Sequence, residues 1–327
     1  MKQITRFFNN HTPETLDETE LVDHLKNQNN LIWVDLCNEE LEPARKLLEE
    51  TFGFHPLAVE DALKEIHVPK IDDWDDYIYL VLCSIIACEP LKGEIKFEEL
   101  DIFVGQNFLV TVHDHPMKCI DRLRNISMQD DRFARRGVEY LLFRLGNEMV
   151  ADYMPVIEQI DQAIDEMEDQ IFHNPHAAEL ENIFKIKRVV LELRRMLLPQ
   201  RETLNQLALD RFQVIGERYR ILFRDIDDHF FRLLGLTESM RDLVSSVLDS
   251  YLSVINNRMN EIMKTLTMIT TLFMPISFVA TFFGMNFFGP LIPLSPGAGE
   301  NLYFLSLALI VLFPIGMFMW MRSRKWM

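Results

Sequence analysis

Asn260, Met263, Leu266, Thr267, Thr270, Met274, Ser277 and Thr281 recur at intervals of three or four. On a helix such residues share one stripe. Their types are mixed: a carboxamide at one end, thioethers and a leucine in the middle, hydroxyls further on. A stripe facing lipid does not usually carry five polar residues. A stripe lining a watery path can, because water or ions satisfy the polar groups and rings of Met or Leu close by dewetting. Hydroxyls also cement helix–helix contacts in lipid, and the residues alone leave that alternative open. Two such helices cannot enclose water, so conduction would require several copies of the chain.

The stripe lies on a long apolar helix. Lys264 is the last charge before it, and uncharged residues run from Thr265 to Phe283, close to the ~20 needed to cross a bilayer. Gly284-Met285-Asn286 follows, then a loop, then a second uncharged run from Leu302 to Met321. Arg322, Arg324 and Lys325 close the chain, Arg258 and Lys264 precede the first span, and the loop carries no base. This asymmetry predicts both termini in the cytoplasm and the loop outside. The N-terminal Met1-Lys-Gln-Ile-Thr-Arg-Phe-Phe8 lacks the apolar core of a signal peptide, so the internal spans are expected to direct insertion.

Of the 327 residues, 48% are hydrophobic, and the net charge is −17. Only Glu300 among the acids and three of the bases lie beyond residue 264, so the preceding region is more acidic than the whole. That disfavours nucleic acid, whose phosphates it would repel. It suits a collector of cations, although acidic domains are also simply soluble. Cys37, Cys83, Cys88 and Cys119 have no zinc-site spacing and are expected to be reduced cytosolic thiols. No P-loop, nucleotide fingerprint or nucleophile–base arrangement stands out, so neither a nucleotide nor an enzyme activity is expected.

The N-terminal region, 1–137, is expected to be a cytosolic α/β domain. Leu31–Leu36, Tyr77–Leu82, Leu100–Val104 and Asn107–Val112 predict strands, with Gly105-Gln-Asn107 as a hairpin turn. Leu41–Phe52 predicts a helix ending before Gly53. Residues 138–218 predict a helical hairpin: an acidic helix over Tyr140–Phe172, a break at Asn174-Pro175, then a basic helix over Leu180–Leu198 that Pro199 ends or kinks. From about Tyr219 no breaker appears before Met274 except Gly235. The region 219–283 therefore predicts one stalk helix running into the first span (about 265–283). So long an amphipath needs partners along its length, which suggests a symmetric bundle. The external loop is 284–301, the second span 302–321 and the basic cytosolic tail 322–327. Pro275 is expected to bend the first span.

Phe283-Gly-Met-Asn-Phe287, placed between two C-terminal spans, resembles the CorA-type magnesium/cobalt channels, the two-span metal ion transporters marked by that motif. The stretch from His55-Pro56 through Leu63, His67-Val-Pro-Lys70 and Tyr77 resembles part of their soluble domain. The resemblance implies an α+β cytosolic domain, long helices and two transmembrane helices in a funnel-shaped homopentamer. It implies residence in the plasma (inner) membrane and passive, potential-driven transport of Mg2+, with Co2+ and Ni2+ as further substrates. It makes Gly284, Met285 and Asn286 a selectivity filter, with Asn286 meeting the hydrated ion. Mg2+ surrenders its waters reluctantly, and a ring of neutral amides offers those waters acceptors without trapping the ion. Gly284 would give the turn its backbone freedom. Asn260, Met263, Leu266 and Met274 match pore positions of that family, and Ser277 stands where Thr is common. The loop departs from the family's usual Met-Pro-Glu, leaving Glu300 as its one acid.

The family closes when intracellular Mg2+ fills sites between neighbouring subunits. Asp225, in Phe223-Arg-Asp225, matches one ligand, and Glu89 is the candidate for the other, with Asp227, Asp228, Asp242 and Asp249 as additions to the same surface. Two rival readings are a zinc transporter of the related ZntB type, against which Met285 argues, and a non-conducting membrane-anchored scaffold.

Overall fold

The computed structural model describes residues 2–8, 13–64, 68–130, 132–173, 177–209, 212–285 and 298–324. It divides into two compact units, residues 1–251 and 252–327.

The first unit is built on a seven-stranded sheet. Its strands are β1 (Lys2–Phe7), β2 (Glu14–Thr15), β3 (Leu31–Cys37), β4 (Lys70–Asp73), β5 (Ile78–Glu89), β6 (Glu94–Val104) and β7 (Phe108–His113), in spatial order β2-β1-β3-β7-β6-β5-β4. β3 and β7 pair in parallel at the centre, and every other pairing is antiparallel. The β6–β7 turn is the expected hairpin, closed by Gly105 N–H donating to the Phe108 carbonyl at 3.0 Å.

Strand alternation gives the sheet two buried faces. Ile32, Val34 and Leu36 of β3 point to the same side as Tyr79, Val81, Phe103, Val110 and Val112. Helices α1 (Glu18–Leu25), α2 (Leu41–Lys46, continued by a π-turn over Leu47–Thr51) and α3 (Pro56–Lys64) cover that side with Leu21, Ala44, Leu47, Leu48, Val59 and Ala62. The other side carries Trp33, Ile78, Leu80, Leu100, Ile102 and Leu109, all buried. Against it lie α4 (Lys118–Ser127) and α6 (Val138–His173), with the short α5 (Arg132–Arg136) between them in sequence. Arg124 of α4 stacks over the Trp33 ring at 5.6 Å.

α6 and α7 (Ala177–Leu209) are the two expected long helices. The expected break at Asn174-Pro175 lies outside the described residues. Pro199 does not end α7, which runs on to Leu209. The turn after the proline is anchored by tertiary contacts: Gln200 is fully buried and Leu204 and Leu207 nearly so. That anchoring offsets the lost N–H and the crowding of the ring. The bases of α7 do not all serve the acids of α6. Arg194 pairs with Glu238, and Arg201 lies 3.2 Å from Asp227, both on the next helix.

That helix, α8 (Arg220–Gly284), is continuous for 65 residues, through Gly235 and Pro275. Phe223, Ile226, Phe230, Leu233, Thr237, Met240, Val244, Val247 and Tyr251 are buried, and Asp227 beside them as well. They alternate three and four apart, a seam suited to packing along one line. Gly146 of α6 lets this seam approach closely, because a Cβ there would stand 2.7 Å from Ile226 Cδ1. The second unit comprises the rest of α8 and α9 (Ala298–Ser323).

Candidate functional site

α8 and α9 each contain a window long and apolar enough to cross a membrane, with mean hydropathy 1.6 and 2.3. Within the α8 window, Asn260, Met263, Leu266, Thr267, Thr270, Met274, Ser277 and Thr281 are all exposed on the single chain. Met263 and Leu266 are each 55% exposed and Met274 66%. The half-covered residues of the same window are Met268, Thr271, Leu272, Pro275, Ile276 and Val279. By helical geometry they lie on the opposite side. The hydroxyl-bearing stripe is uncovered on the single chain, as are the apolar Ile262, Ile269, Phe273, Phe278 and Phe282 of the same helix.

Hydrogen bonding gives that stripe a definite polarity. Thr267 Oγ1 donates to the Met263 carbonyl at 2.8 Å, and Thr270 Oγ1 to the Leu266 carbonyl at 2.9 Å. A hydroxyl whose proton is committed four residues back keeps its lone pairs outward. It presents an acceptor, which suits the outward-pointing hydrogens of water held by a cation.

α8 ends at Gly284, and Met285 stands just beyond it, 54% exposed. Asn286, the expected filter carboxamide, lies outside the described residues, as do residues 287–297 of the loop that departs from the usual pattern; residues 298–301, expected in that loop, already belong to α9. Gly284 is helical here rather than left-handed; the positive-φ glycines are Gly53, Gly93 and Gly137. The expected turn freedom is therefore not used at that residue. The chain leaves the helix beyond it.

Asp225 is exposed on α8, between the buried Phe223 and Ile226. Asp228 and Asp249 are exposed too, and Asp242 is held by Arg241 at 2.9 Å. Asp227 is a correction: it is 9% exposed and turned to Arg201. Burial raises its carboxyl pKa, and the Arg201 guanidinium opposes that rise. It is committed within its own subunit and is withdrawn from the surface its neighbours share, because the helical period carries position 227 back toward the seam.

Glu89 closes β5 and faces Lys92 at 2.5 Å across a turn over Pro90–Lys92. Their hydrogen bond raises the Lys92 pKa. Gly93 completes the turn with φ +75°, and a Cβ there would come within 3.2 Å of Lys185 on α7. Only glycine fits this backbone without strain, so the turn carrying Glu89 is held against α7. Among the described residues no group of three or more His, Cys, Asp or Glu is arranged to hold a metal ion.

The described residues thus comprise a sheet-and-helix unit and two helices long and apolar enough to cross a membrane. The family described as "CorA-like Mg2+ transporter protein" matches residues 28–324, and the chain belongs to that family. It is 33% identical to the putative metal ion transporter YfjQ of Bacillus subtilis, covering 90% of this chain and 89% of that one. It is 31% identical to the cobalt/magnesium transport protein CorA of Thermotoga maritima, covering 78% and 73%. The complete structure of the CorA magnesium transporter from Methanocaldococcus jannaschii superposes with TM-score 0.83 over 100% of this chain and 99% of that one, at 23% identity. The ZntB cytoplasmic domain from Vibrio parahaemolyticus shares the soluble fold at TM-score 0.64 and 14% identity, covering 78% and 98%.

Proposed function

We propose that copies of this chain assemble, as a pentamer, around the α8 stripe to form a passive Mg2+ channel of the inner membrane. Both termini lie in the cytoplasm, and Co2+ and Ni2+ are further substrates. The observation that carries the proposal is the exposed stripe from Asn260 to Thr281, whose Thr267 and Thr270 hydroxyls turn their acceptor side outward. Each copy leaves this polar face uncovered, and water around a shared axis would satisfy it. The names of relatives from Thermotoga maritima and Methanocaldococcus jannaschii, both cobalt/magnesium transport proteins, support the choice of ion.

A divalent ion entering down the membrane potential gains roughly 4–5 kcal/mol per 100 mV, so no nucleotide is needed. Met263, Leu266 and Met274 would form the apolar constriction, and Asn286 with Gly284 and Met285 the outer filter. Cytosolic Mg2+ closes the pore by bridging acids of adjacent subunits, Asp225 on one and Glu89 on the next. The ion removes the repulsion between like charges, and its loss frees the stripe to widen.

Flux into proteoliposomes tests both halves. Asn286→Ala should abolish Mg2+ uptake while the assembly keeps its size on gel filtration; undiminished uptake removes Asn286 from the filter. Asp225→Ala should require several-fold more internal Mg2+ for closure, in line with a coupling of about 1–3 kcal/mol. An unshifted dose–response removes it from the gate.

A further inference from the structure

β5 has an edge that no strand covers along its full length. On one side β6 pairs with it from Ile78 to Glu89. On the other, β4 reaches only Ile78 to Val81. At Cys83 the vacant edge is filled by a side chain. Cys83 N–H donates to Gln200 Oε1 at 2.7 Å, and Gln200 Nε2 donates to the Cys83 carbonyl at 2.9 Å. This is the two-bond exchange that a residue on a paired strand makes. Tyr153 of α6 donates its hydroxyl to the same carbonyl at 2.7 Å, and Gln200 Nε2 also reaches that hydroxyl at 3.2 Å. Further along, Gln159 of α6 donates to the Cys88 carbonyl at 3.3 Å.

The arrangement joins the two ends of the proposed gate. Gln200 and Tyr153 are fully buried. The Tyr153 ring meets Phe230 of α8 edge-on, centroids 5.6 Å apart. Arg201, the residue after Gln200, faces Asp227 of α8. Phe230 and Asp227 lie within about a turn and a half of Asp225, and β5 runs on from Cys83 to Glu89.

We propose that Gln200 is a positioning residue that locks α6 and α7, and through them α8, to the open edge of β5, fixing Asp225 relative to Glu89 within each subunit. Mg2+ bound between subunits then moves a rigid lever instead of being absorbed by a loose helix. A side-chain amide suits a lock because it matches donor and acceptor at once, and releasing it strands buried backbone groups together. The lock is either closed or open.

The proposal rests on the gating reading above, and the test separates the two. Full-length protein in proteoliposomes is assayed for Mg2+ influx against internal Mg2+. Gln200→Met keeps the volume and removes the bonds. It should raise the half-closing Mg2+ concentration about fivefold or more and leave influx without internal Mg2+ unchanged. Thr111→Val removes buried bonds away from the Gln200 junction, from Trp33 Nε1 at 3.1 Å and to Asp35 at 2.6 Å. It should lower the thermal midpoint without moving the half-closing concentration. Tyr153→Phe substitutes if Gln200→Met does not fold.

A half-closing concentration that Gln200→Met leaves in place, or that Thr111→Val moves equally, overturns the lock. Asp225→Ala is run alongside. If it shifts closure and Gln200→Met does not, the gate stands and the lock falls. If neither shifts closure, the gating reading falls and takes the lock with it. If Gln200→Met alone shifts closure, Asp225 is not the gate ligand, and the lock, which is stated as fixing Asp225, is overturned in that form.

Discussion

His113 is buried between two acceptors. Its Nε2 faces Asp35 Oδ1 at 3.1 Å and its Nδ1 the His115 carbonyl at 2.7 Å. Only the imidazolium has a proton for both. Thr111 and Arg124 bind the same Asp35 carboxylate, and Glu98 lies close enough to favour the charge. Burial pulls the imidazole down, but the pairing with Asp35 outweighs it, and the His113 pKa rises above its ordinary 6.5. Burial pushes Asp35 up, and His113, Thr111 and Arg124 together bring it below 3.8. A raised imidazole contributes stability that is complete below pH 6.5 and lost as pH climbs through its folded value. A depressed carboxylate contributes stability that is complete above 3.8 and lost as pH falls through its folded value. The pair therefore holds best between those limits. The thermal midpoint of the soluble unit should fall as pH rises above 6.5, and His113→Gln should flatten that decline. A decline of equal slope in the variant would show that another group causes it.

At the scale of elements, Gly146 of α6 faces Ile226 of α8. Gly146→Ala places a methyl group 2.7 Å from Ile226 Cδ1, the free end of a flexible side chain, while the other Ile226 atoms stay at 3.6 Å or more. A small rotation of that side chain relieves the contact, and alanine is favoured over glycine inside a helix by about 1 kcal/mol. The urea midpoint of Gly146→Ala should therefore hold or rise. A clear fall would show that Ile226 cannot turn aside. The elements that escape a reading of the sequence are the short and polar ones. β4 is Lys-Ile-Asp-Asp, without the alternation of a half-buried strand. It is a strand because β5 offers it an edge, and Lys70 bonds to Asp61 at 2.6 Å. β1 and β2 likewise depend on partners distant in the chain. The long helices α6 and α8 were legible because their periodicity extends over many turns. The sequence predicts only Tyr77–Leu82 of β5 and Leu100–Val104 of β6, and the strands run over Ile78–Glu89 and Glu94–Val104. Pro199 does not end α7 because a proline's cost is local, while the burial that offsets it is tertiary.

For the molecule as a whole, the stripe and the face behind it separate the channel from a non-conducting scaffold. In the assembled protein Thr270→Cys and Ser277→Cys should react with a membrane-impermeant, water-soluble thiol reagent and lose Mg2+ flux. Leu272→Cys, on the half-covered side, should resist. Equal protection at all three positions would mean that the stripe faces lipid or another helix. The same result would remove the reason for an assembly around α8. The uncovered stripe was legible as a stripe from its three-four spacing. That it is exposed on the single chain, and that its Thr hydroxyls donate backward, was not.

The sequence by itself determined two long apolar segments, the Gly284-Met285-Asn286 motif between them, an acidic N-terminal region and the residues that share one stripe of α8. Those properties are local: composition, spacing and charge survive without any knowledge of what packs where. Only the tertiary structure decided that Asp227 turns inward to Arg201 while Asp225 stays outside, that Gly146 admits Ile226, and that Gln200 fills the gap in the sheet beside Cys83. Each joins residues far apart in the chain. Which face of an element is buried depends on the partner that closure of the chain brings to it.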